Sequence, residues 1–437
     1  MPNPAVTLAI GVGLAGLAMA QTPPPPDPQP AVTFTLQQAL DRARQFGPTF
    51  LAANLASQMA HEETVQAKAA LLPTLNWFSQ YIYTQPNGTP TGVYVAANGP
   101  HVYTEQAVVH GDLYAPGKRA DYRRAMAAEA AVRAKADVAA RGLTAVVVQD
   151  YYGVTVAQRK LANARQALGE AQRFLDISEK QEQGGEAAHS DVIKAQIQVE
   201  QRQRDVQEAE LSLDKAKTAI AVLLFPDFRQ DFALADDLDA AASLPAFPQV
   251  QQLAAKNNPE IRAAQATVEL QRHTVASARA AMLPALSFDY FFGLNANQFA
   301  MYNGDHLNNV GSGAQVQLNV PLWNWGSMRS RVREAQFALQ QAQNDLSFTQ
   351  RQLLAELQAL YGEARVSSGQ VASLRHSMEL SAESLRLTVE RYTAGEATVL
   401  EVVDAQTTVS QARNAYDDGL ARYRLALANL QTLTGTF

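Results

Sequence analysis

The strongest constraint on this chain is that it is written twice. Leu71-Leu72-Pro73-Thr74-Leu75 recurs as Met282-Leu283-Pro284-Ala285-Leu286, an offset of 211. Gly47-Pro48 recurs as Asn258-Pro259 at the same offset, and Gly117 recurs as Gly326 at 209. GEAAHSDVIKAQIQVEQ (185–201) aligns with GEATVLEVVDAQTTVSQ (395–411) at 210, with eight of 17 positions identical. Four anchors at one spacing mean two copies of a unit of roughly 200 residues, too long for a small solenoid repeat. The 437 residues are therefore not the two or three unlike domains that length alone suggests.

Each copy has the same order of segments. A helical segment is predicted over 36–70 and again over 247–281. A stretch rich in aromatics, Gly and Asn follows (71–115; 282–325). A long helix then runs from about Gly117 to Lys180, and from about Gly326 to Tyr392. A glycine turn (Gly184-Gly185; Gly395) leads into a last helix over 189–224 and 398–433. A helix of about 65 residues is on the order of 100 Å long and needs a partner along its length. The last helices supply the seam, with Val192, Val199, Val206, Leu213 and Ile220 seven apart. Val402, Val409, Tyr416, Tyr423 and Leu430 repeat it in the second copy. Sustained seven-residue spacing implies a left-handed supercoil.

Between the helices the period drops to two. Leu286, Phe288, Tyr290, Phe292 and Leu294 alternate with mostly small or polar residues, as do Ala314, Val316, Leu318, Val320 and Leu322. In the first copy Leu75, Trp77, Tyr81 and Tyr83 alternate less cleanly. Strands are predicted at about 74–85, 101–113, 285–295 and 313–322, joined by polar loops over 86–100 and 296–312. Ten residues tilted about 45° span around 23 Å, close to the apolar band of an outer-membrane barrel. The chain is 47% hydrophobic, yet past its first 20 residues it has no apolar run long enough for a membrane helix. Four strands cannot close a barrel, and an open edge in lipid leaves backbone groups unpaired. Strands that span a membrane here require an oligomer; a dimer gives eight strands and a trimer twelve.

The N-terminus fixes the compartment. AVTLAIGVGLAGL (5–17) followed by Ala18-Met19-Ala20 reads as a secretory signal over 1–20, without the usual basic start. Gly11, Gly13 and Gly16 form a formal GxGxxG, discarded as a dinucleotide site because no strand precedes it. TPPPPDPQP (22–30) lies in an extended tether over 21–35. Cysteine is absent, which excludes disulfides, thiol chemistry and an anchor through a lipidated Cys. The net charge of −6 argues against a nucleic-acid partner. The seven histidines (61, 101, 110, 189, 273, 306, 376) show no metal-ligand spacing, and no catalytic arrangement or cofactor motif stands out, so no enzyme, metal or cofactor is expected.

TLQQALDRARQFGPTFLAA, LLPTL, the PGKR turn at 116–119, LPAFPQVQQLAAKNNPEIRAAQ, PLWNWG at 321–326 and RYTAGEATVLEVVDAQ at 391–406 complete the pattern. Together they resemble the TolC family of outer-membrane efflux proteins, over nearly the whole mature chain. The resemblance implies a mainly α fold with membrane β-strands: a homotrimer, a twelve-stranded outer-membrane β-barrel and a long periplasmic α-barrel of coiled-coil helices. Residues 36–229 would form the first repeat, 230–246 an equatorial linker and 247–437 the second repeat. It implies a passive exit duct, opened by a periplasmic adaptor and energised by an inner-membrane transporter of RND or ABC type. A periplasmic coiled-coil scaffold without transport activity is the alternative.

The resemblance also implies sites. Glu401 and Asp404, one turn apart on one helix face, would form stacked carboxylate rings at the pore gate; such rings favour cations. Tyr392 corresponds to a family tyrosine that bonds an acid at the other tip, here Asp191. The family's arginine five positions after that tyrosine is Ala397 here, so the gate is built differently. The turns 184–188 and 394–398, with Gly184, Gly185, Glu186, Gly395 and Glu396, resemble the tips that adaptors engage.

Overall fold

The structure, a computed structural model, describes residues 32–84, 100–240 and 243–435. The expected signal segment, most of the Pro-rich tether and nearly all of the 86–100 loop lie outside the described residues. Along the chain run β1 (Val32–Phe34), α1 (Leu36–Phe46), α2 (Pro48–Ala69), β2 (Thr74–Tyr83), β3 (His101–Tyr114), α3 (Pro116–Gly184) and α4 (His189–Leu224). The second copy follows with β4 (Phe232–Leu234), α5 (Phe247–Asn257), α6 (Pro259–Ala280), β5 (Ala285–Ala296), β6 (Val310–Asn319), α7 (Ser327–Thr393) and α8 (Val399–Thr434).

Each copy opens with two helices where the sequence predicts one. Pro48 and Pro259 are the first residues of α2 and α6. Proline has no amide hydrogen and pushes the residue before it out of the helical region. Gly47 (ψ 113°) and Asn258 (ψ 122°) are accordingly extended, and each break turns the chain. Asn258 then caps α6 by accepting from the Glu260 and Ile261 amides.

The four long strands form one antiparallel sheet in the order β2-β3-β5-β6. The β3–β5 pairing joins the two copies, running from Tyr103↔Ala296 to Tyr114↔Leu286 with a bulge between Asp112 and Tyr114. The registers place Trp77, Ala107, Phe292 and Ser312 in one row, and Leu75, Val109, Tyr290 and Ala314 in the next. One face is therefore built mainly from Leu75, Trp77, Tyr81, Phe292, Val316 and Leu318, all well exposed to the surroundings. The opposite face carries Asn76, Gln80, Gln106, His110, Asp289, Gln315 and Gln317, with Phe78, Val108 and Phe291 among them. A mainly apolar outer face opposite a mainly polar one is the pattern of a barrel that meets lipid outside and water inside. Strand β6 starts three residues before the predicted 313 and ends before Pro321, because Val310 and Gly311 pair with Leu294 and Gly293.

The helices repeat the order of the strands they join. Next to the sheet, α3 packs between α2 and α6, and α6 packs on α7. Farther away, α3 packs between α4 and α8, and α8 packs on α7. Thus α3 is interior along its length, whereas α7 with β6 forms one edge of the protomer. The other edge is β2 with α2, continued by α4. Both edges expose large apolar side chains: Phe337, Phe348 and Leu380 on α7, Met59 on α2 and Ile197 on α4. No helix among the described residues is long and apolar enough to cross a membrane.

Where α2 and α6 give way to α4 and α8, a globular core forms around the parallel pair β1–β4. Phe34, Tyr151, Ile220, Leu224, Phe232 and Leu234 are buried there. The Tyr151 hydroxyl donates to the Ala235 carbonyl at 2.6 Å. This belt fixes the vertical position of the long helices, and so of the tips at their far end.

Candidate functional site at the helical tips

The two glycine turns are built alike. In the first, the Glu186 amide donates to the Gln181 carbonyl and the Gly185 amide to that of Glu182. In the second, the Glu396 amide donates to the Arg391 carbonyl and the Gly395 amide to that of Tyr392. These are paired Schellman bonds, which need a left-handed residue. Gly185 (φ 77°) and Gly395 (φ 76°) supply it without the Cβ penalty. Gly184 ends α3 and is exposed, as are Gly185, Glu186, Gly395 and Glu396.

The next helices begin differently. Ala188 gives α4 no side-chain cap. Thr398 gives α8 a capping box: its hydroxyl accepts from the Glu401 amide, and the Glu401 carboxylate accepts from the Thr398 amide. Those bonds from the Thr398 backbone and side chain, followed by Arg391 at 3.6 Å, hold the Glu401 carboxyl below the usual range. Glu401 is therefore a structural cap as well as an acid on the predicted face. Asp404, one turn on, is exposed.

Tyr392 and Asp191 do not bond to each other. Tyr392 is only 5% exposed, and its ring meets Phe174 edge-on at 5.0 Å. Its hydroxyl donates to Ser178 Oγ at 3.3 Å, one turn above Phe174 on α3. Asp191 instead accepts from Lys194 at 3.0 Å. The physical reason is burial: the tyrosine points into the core formed with Leu385, Val399 and Val402, whereas Asp191 sits on the partly exposed first turn of α4.

A second link between the tips comes from Gln181. Its amide nitrogen donates to the Tyr392 carbonyl at 3.2 Å and to the Thr393 carbonyl at 3.4 Å. These are among the last carbonyls of α7, which lack partners within their own helix. Ser178 and Gln181 carry little signal in the sequence, since polar residues inside a long helix look like solvated surface. Their i, i+3 spacing beside the tip is the one signal they carry. Gln181, Asp191, Lys194, Tyr392 and Leu400 line a cavity of about 710 Å³ between the two tips.

At the other end of the molecule, the polar sheet face carries a His110–Asp289 pair at 2.6 Å. Segments 74–114 and 285–319 contain no Lys or Arg, only the acids Glu105, Asp112, Asp289 and Asp305. Asp112 is paired with Lys118, at the start of α3. Among the described residues no three His, Asp or Glu side chains gather as a metal site.

A family model described as outer membrane efflux protein matches residues 36–224 and 250–436, one match per copy. The outer membrane protein TolC of Vibrio cholerae is 25% identical over 92% of this chain and 90% of its own. The cobalt-zinc-cadmium resistance protein CzcC of Cupriavidus metallidurans is 25% identical over 67% of this chain and 68% of its own. Among solved structures, the Campylobacter jejuni CmeC outer membrane channel superposes with a TM-score of 0.79 at 15% identity. That superposition covers 98% of this chain and 94% of the other.

Proposed function

The chain belongs to the outer membrane efflux protein family, and from that premise we propose how this particular protomer builds, closes and couples its duct. TolC-family proteins are outer-membrane channels of tripartite efflux and secretion systems and act as trimers; they are transporters, not enzymes. In this chain the α7–β6 edge of one copy packs against the β2–α2–α4 edge of the next. Three copies then give twelve strands with no free edge.

One observation carries this reading. The same protomer leaves the outer strands of its four-stranded sheet unpaired, with large apolar side chains exposed on the helices beside them, on two opposite sides. Phe337 on α7 is 68% exposed and Met59 on α2 is 67% exposed, far more than an isolated helix face in water tolerates over such a length. The test is the oligomeric state together with conductance. Wild type should migrate as a trimer in mild detergent and insert as a pore in planar bilayers. Phe337→Asp should give monomers and no pores. Trimers from that variant, or non-conducting wild-type trimers, would overturn the assignment of the edges.

The gate is assigned to the second tip. Glu401 and Asp404, repeated by three-fold symmetry, form two carboxylate rings that attract cations. Tyr392 closes the aperture from inside the tip core, held by Ser178 and Gln181 rather than by Asp191. Asp191 and Lys194 line the cavity between the tips. A periplasmic adaptor engages the exposed turns at Gly184, Gly185, Glu186, Gly395 and Glu396 by helix-to-helix contact. An inner-membrane transporter of RND or ABC type supplies the energy. Residues 1–20 act as the export signal and 21–35 as a tether, 36–229 and 247–437 are the two repeats, and 230–246 is the equatorial link between them.

A further inference from the structure

The apolar face of the sheet contains one carboxylate. Glu105 lies on β3 in the row of Ser79 and Leu294, on the side that meets lipid in the proposed barrel. Its Oε1 accepts from Ser79 Oγ at 2.5 Å and its Oε2 from Trp77 Nε1 at 3.0 Å. A carboxylate offers about four acceptor positions, so roughly half of its capacity is unused. Among the described residues no cation forms an ion pair with it, and the barrel segments and their loops supply no Lys or Arg at all. Strand β6 of a neighbouring copy, laid against β2, brings none either. His101, on the same face, is bonded to the Tyr81 hydroxyl at 2.8 Å.

The carboxylate opens into a cavity of about 490 Å³ walled by Trp77, Phe292, Leu294, Phe299 and Met301. Phe299 and Met301 come from the β5–β6 loop, which folds back over the sheet. The cavity stands over the β3–β5 seam inside one protomer, with Trp77 reaching it from the edge strand β2 and Val310 from the edge strand β6. Its depth is set by the rings just above it. The ring of Tyr103, two residues from Glu105, lies tilted against Tyr81 at 4.9 Å, and His101 against Tyr83 at 5.3 Å. Aromatic rings at strand ends mark the membrane–water interface, so Glu105 lies just beneath the outer one.

A lipid-facing carboxyl with no basic neighbour offers acceptors to an incoming cation, and an apolar cavity beside it suits a hydrocarbon body. We propose that this cavity is a binding site for cationic amphiphiles, molecules with a protonated amine on an apolar chain, dissolved in the outer leaflet. The ammonium donates to the free lone pairs of Glu105, and the chain lies against Phe292, Leu294 and Met301. An anionic amphiphile is repelled, and a neutral one forfeits the charge-assisted bond. This assignment rests on the sheet lying in the membrane as proposed above.

The test uses the fluorescence of Trp77, one of three tryptophans in the chain. Trp323→Phe with Trp325→Phe leaves it as the sole emitter. The trimer in lipid nanodiscs is titrated with 3-bromododecylammonium, whose bromine lies close enough to the ammonium to quench Trp77 on contact. The alcohol and the sulfate of the same chain serve as controls. Conductance of each preparation is measured first, so that loss of the barrel is seen separately from loss of the site. Saturable quenching by the ammonium alone is expected. Glu105→Gln should weaken it at least roughly tenfold, the value of a hydrogen bond to a charged group, and Glu105→Asp should retain part of it. Where Glu105→Gln fails to assemble, the comparison of the three head groups on the wild-type site decides. Equal quenching by the alcohol and the ammonium, or unchanged affinity in conducting Glu105→Gln trimers, would overturn the proposal.

Discussion

The Tyr392 hydroxyl donates to Ser178 Oγ across the α3–α7 contact, and so ties the second tip to the first from within their shared core. Ser178 Oγ in turn donates to the Phe174 carbonyl at 3.1 Å, so the link ends on backbone and does not shift with a surface side chain.

Removing either partner should loosen the tips. Tyr392→Phe keeps the ring on Phe174 and deletes only the bond, worth about 1 kcal/mol. Single-channel conductance should rise. Ser178→Ala should match it, the double variant should add little more, and Asp191→Asn should leave conductance alone. A rise in Asp191→Asn with none in Ser178→Ala would restore the acid as the partner.

Gln181→Ala should have the larger effect, since it removes a donor from two α7 carbonyls at once and leaves the Tyr392 carbonyl only the Gly395 amide. Open probability in planar bilayers should exceed that of Tyr392→Phe, and Gln181→Glu should open the tip as well, because a carboxylate cannot donate. Closed-state conductance unchanged in Gln181→Ala would remove the latch.

The carboxylate rings are best tested with the cap kept intact. Glu401→Gln preserves the reach of the side chain back to Thr398, whereas alanine would also cost about 1 kcal/mol of helix start. Glu401→Gln with Asp404→Asn should weaken block of the pore by trivalent cations applied from the tip side. Block at wild-type concentrations would sink the ring assignment.

At Gly293 the backbone of β5 comes close to that of β3. The φ of Gly293 is 155°, and a Cβ there would lie 2.0 Å from the Glu105 carbonyl oxygen. Gly293→Ala should therefore abolish heat-resistant trimers on gels. Gly313→Ala, whose Cβ meets open space, should assemble normally, and equal heat resistance of the two would contradict the close approach.

The equatorial belt should be sensitive to alkali. Burial, followed by the Asp237 charge, pushes the Tyr152 hydroxyl up to about 12, and burial raises Tyr151 still further. A phenol whose folded value is raised keeps its full contribution below the unfolded value of about 10. That contribution is lost as pH rises through about 12. Melting temperature by circular dichroism should hold to pH 10 and fall between 10 and 12, less so in Tyr152→Phe.

The duplication, the long helices and the alternation on β5 are legible in the sequence because each is a periodic burial pattern. Strand β3 is harder to read. Thr104, Glu105 and Gln106 form a polar run, and the bulge at Asp112 shifts the phase. The helix breaks at Gly47 and Asn258 can be read from the prolines that follow them. The Gln181 and Ser178 links cannot, because they join residues more than 200 positions apart on helices whose register the sequence alone leaves open. The cap role of Glu401 is visible as Thr398-x-x-Glu401, once the helix is known to start there.

In the proposed trimer the β3–β5 seam lies between the two halves of one chain and the β6–β2 seam between chains, yet equivalent elements of the duplicated unit meet at both. Around the complete ring, covalent and non-covalent joints alternate. The trimer is thus a pseudo-hexamer in which every second joint is built in before any encounter. Assembly has half as many contacts to find by diffusion as a ring of single units would have. The two copies are also free to diverge, one carrying the capped tip with its acids and the other the plainer tip, so that the two kinds of tip alternate around the proposed ring.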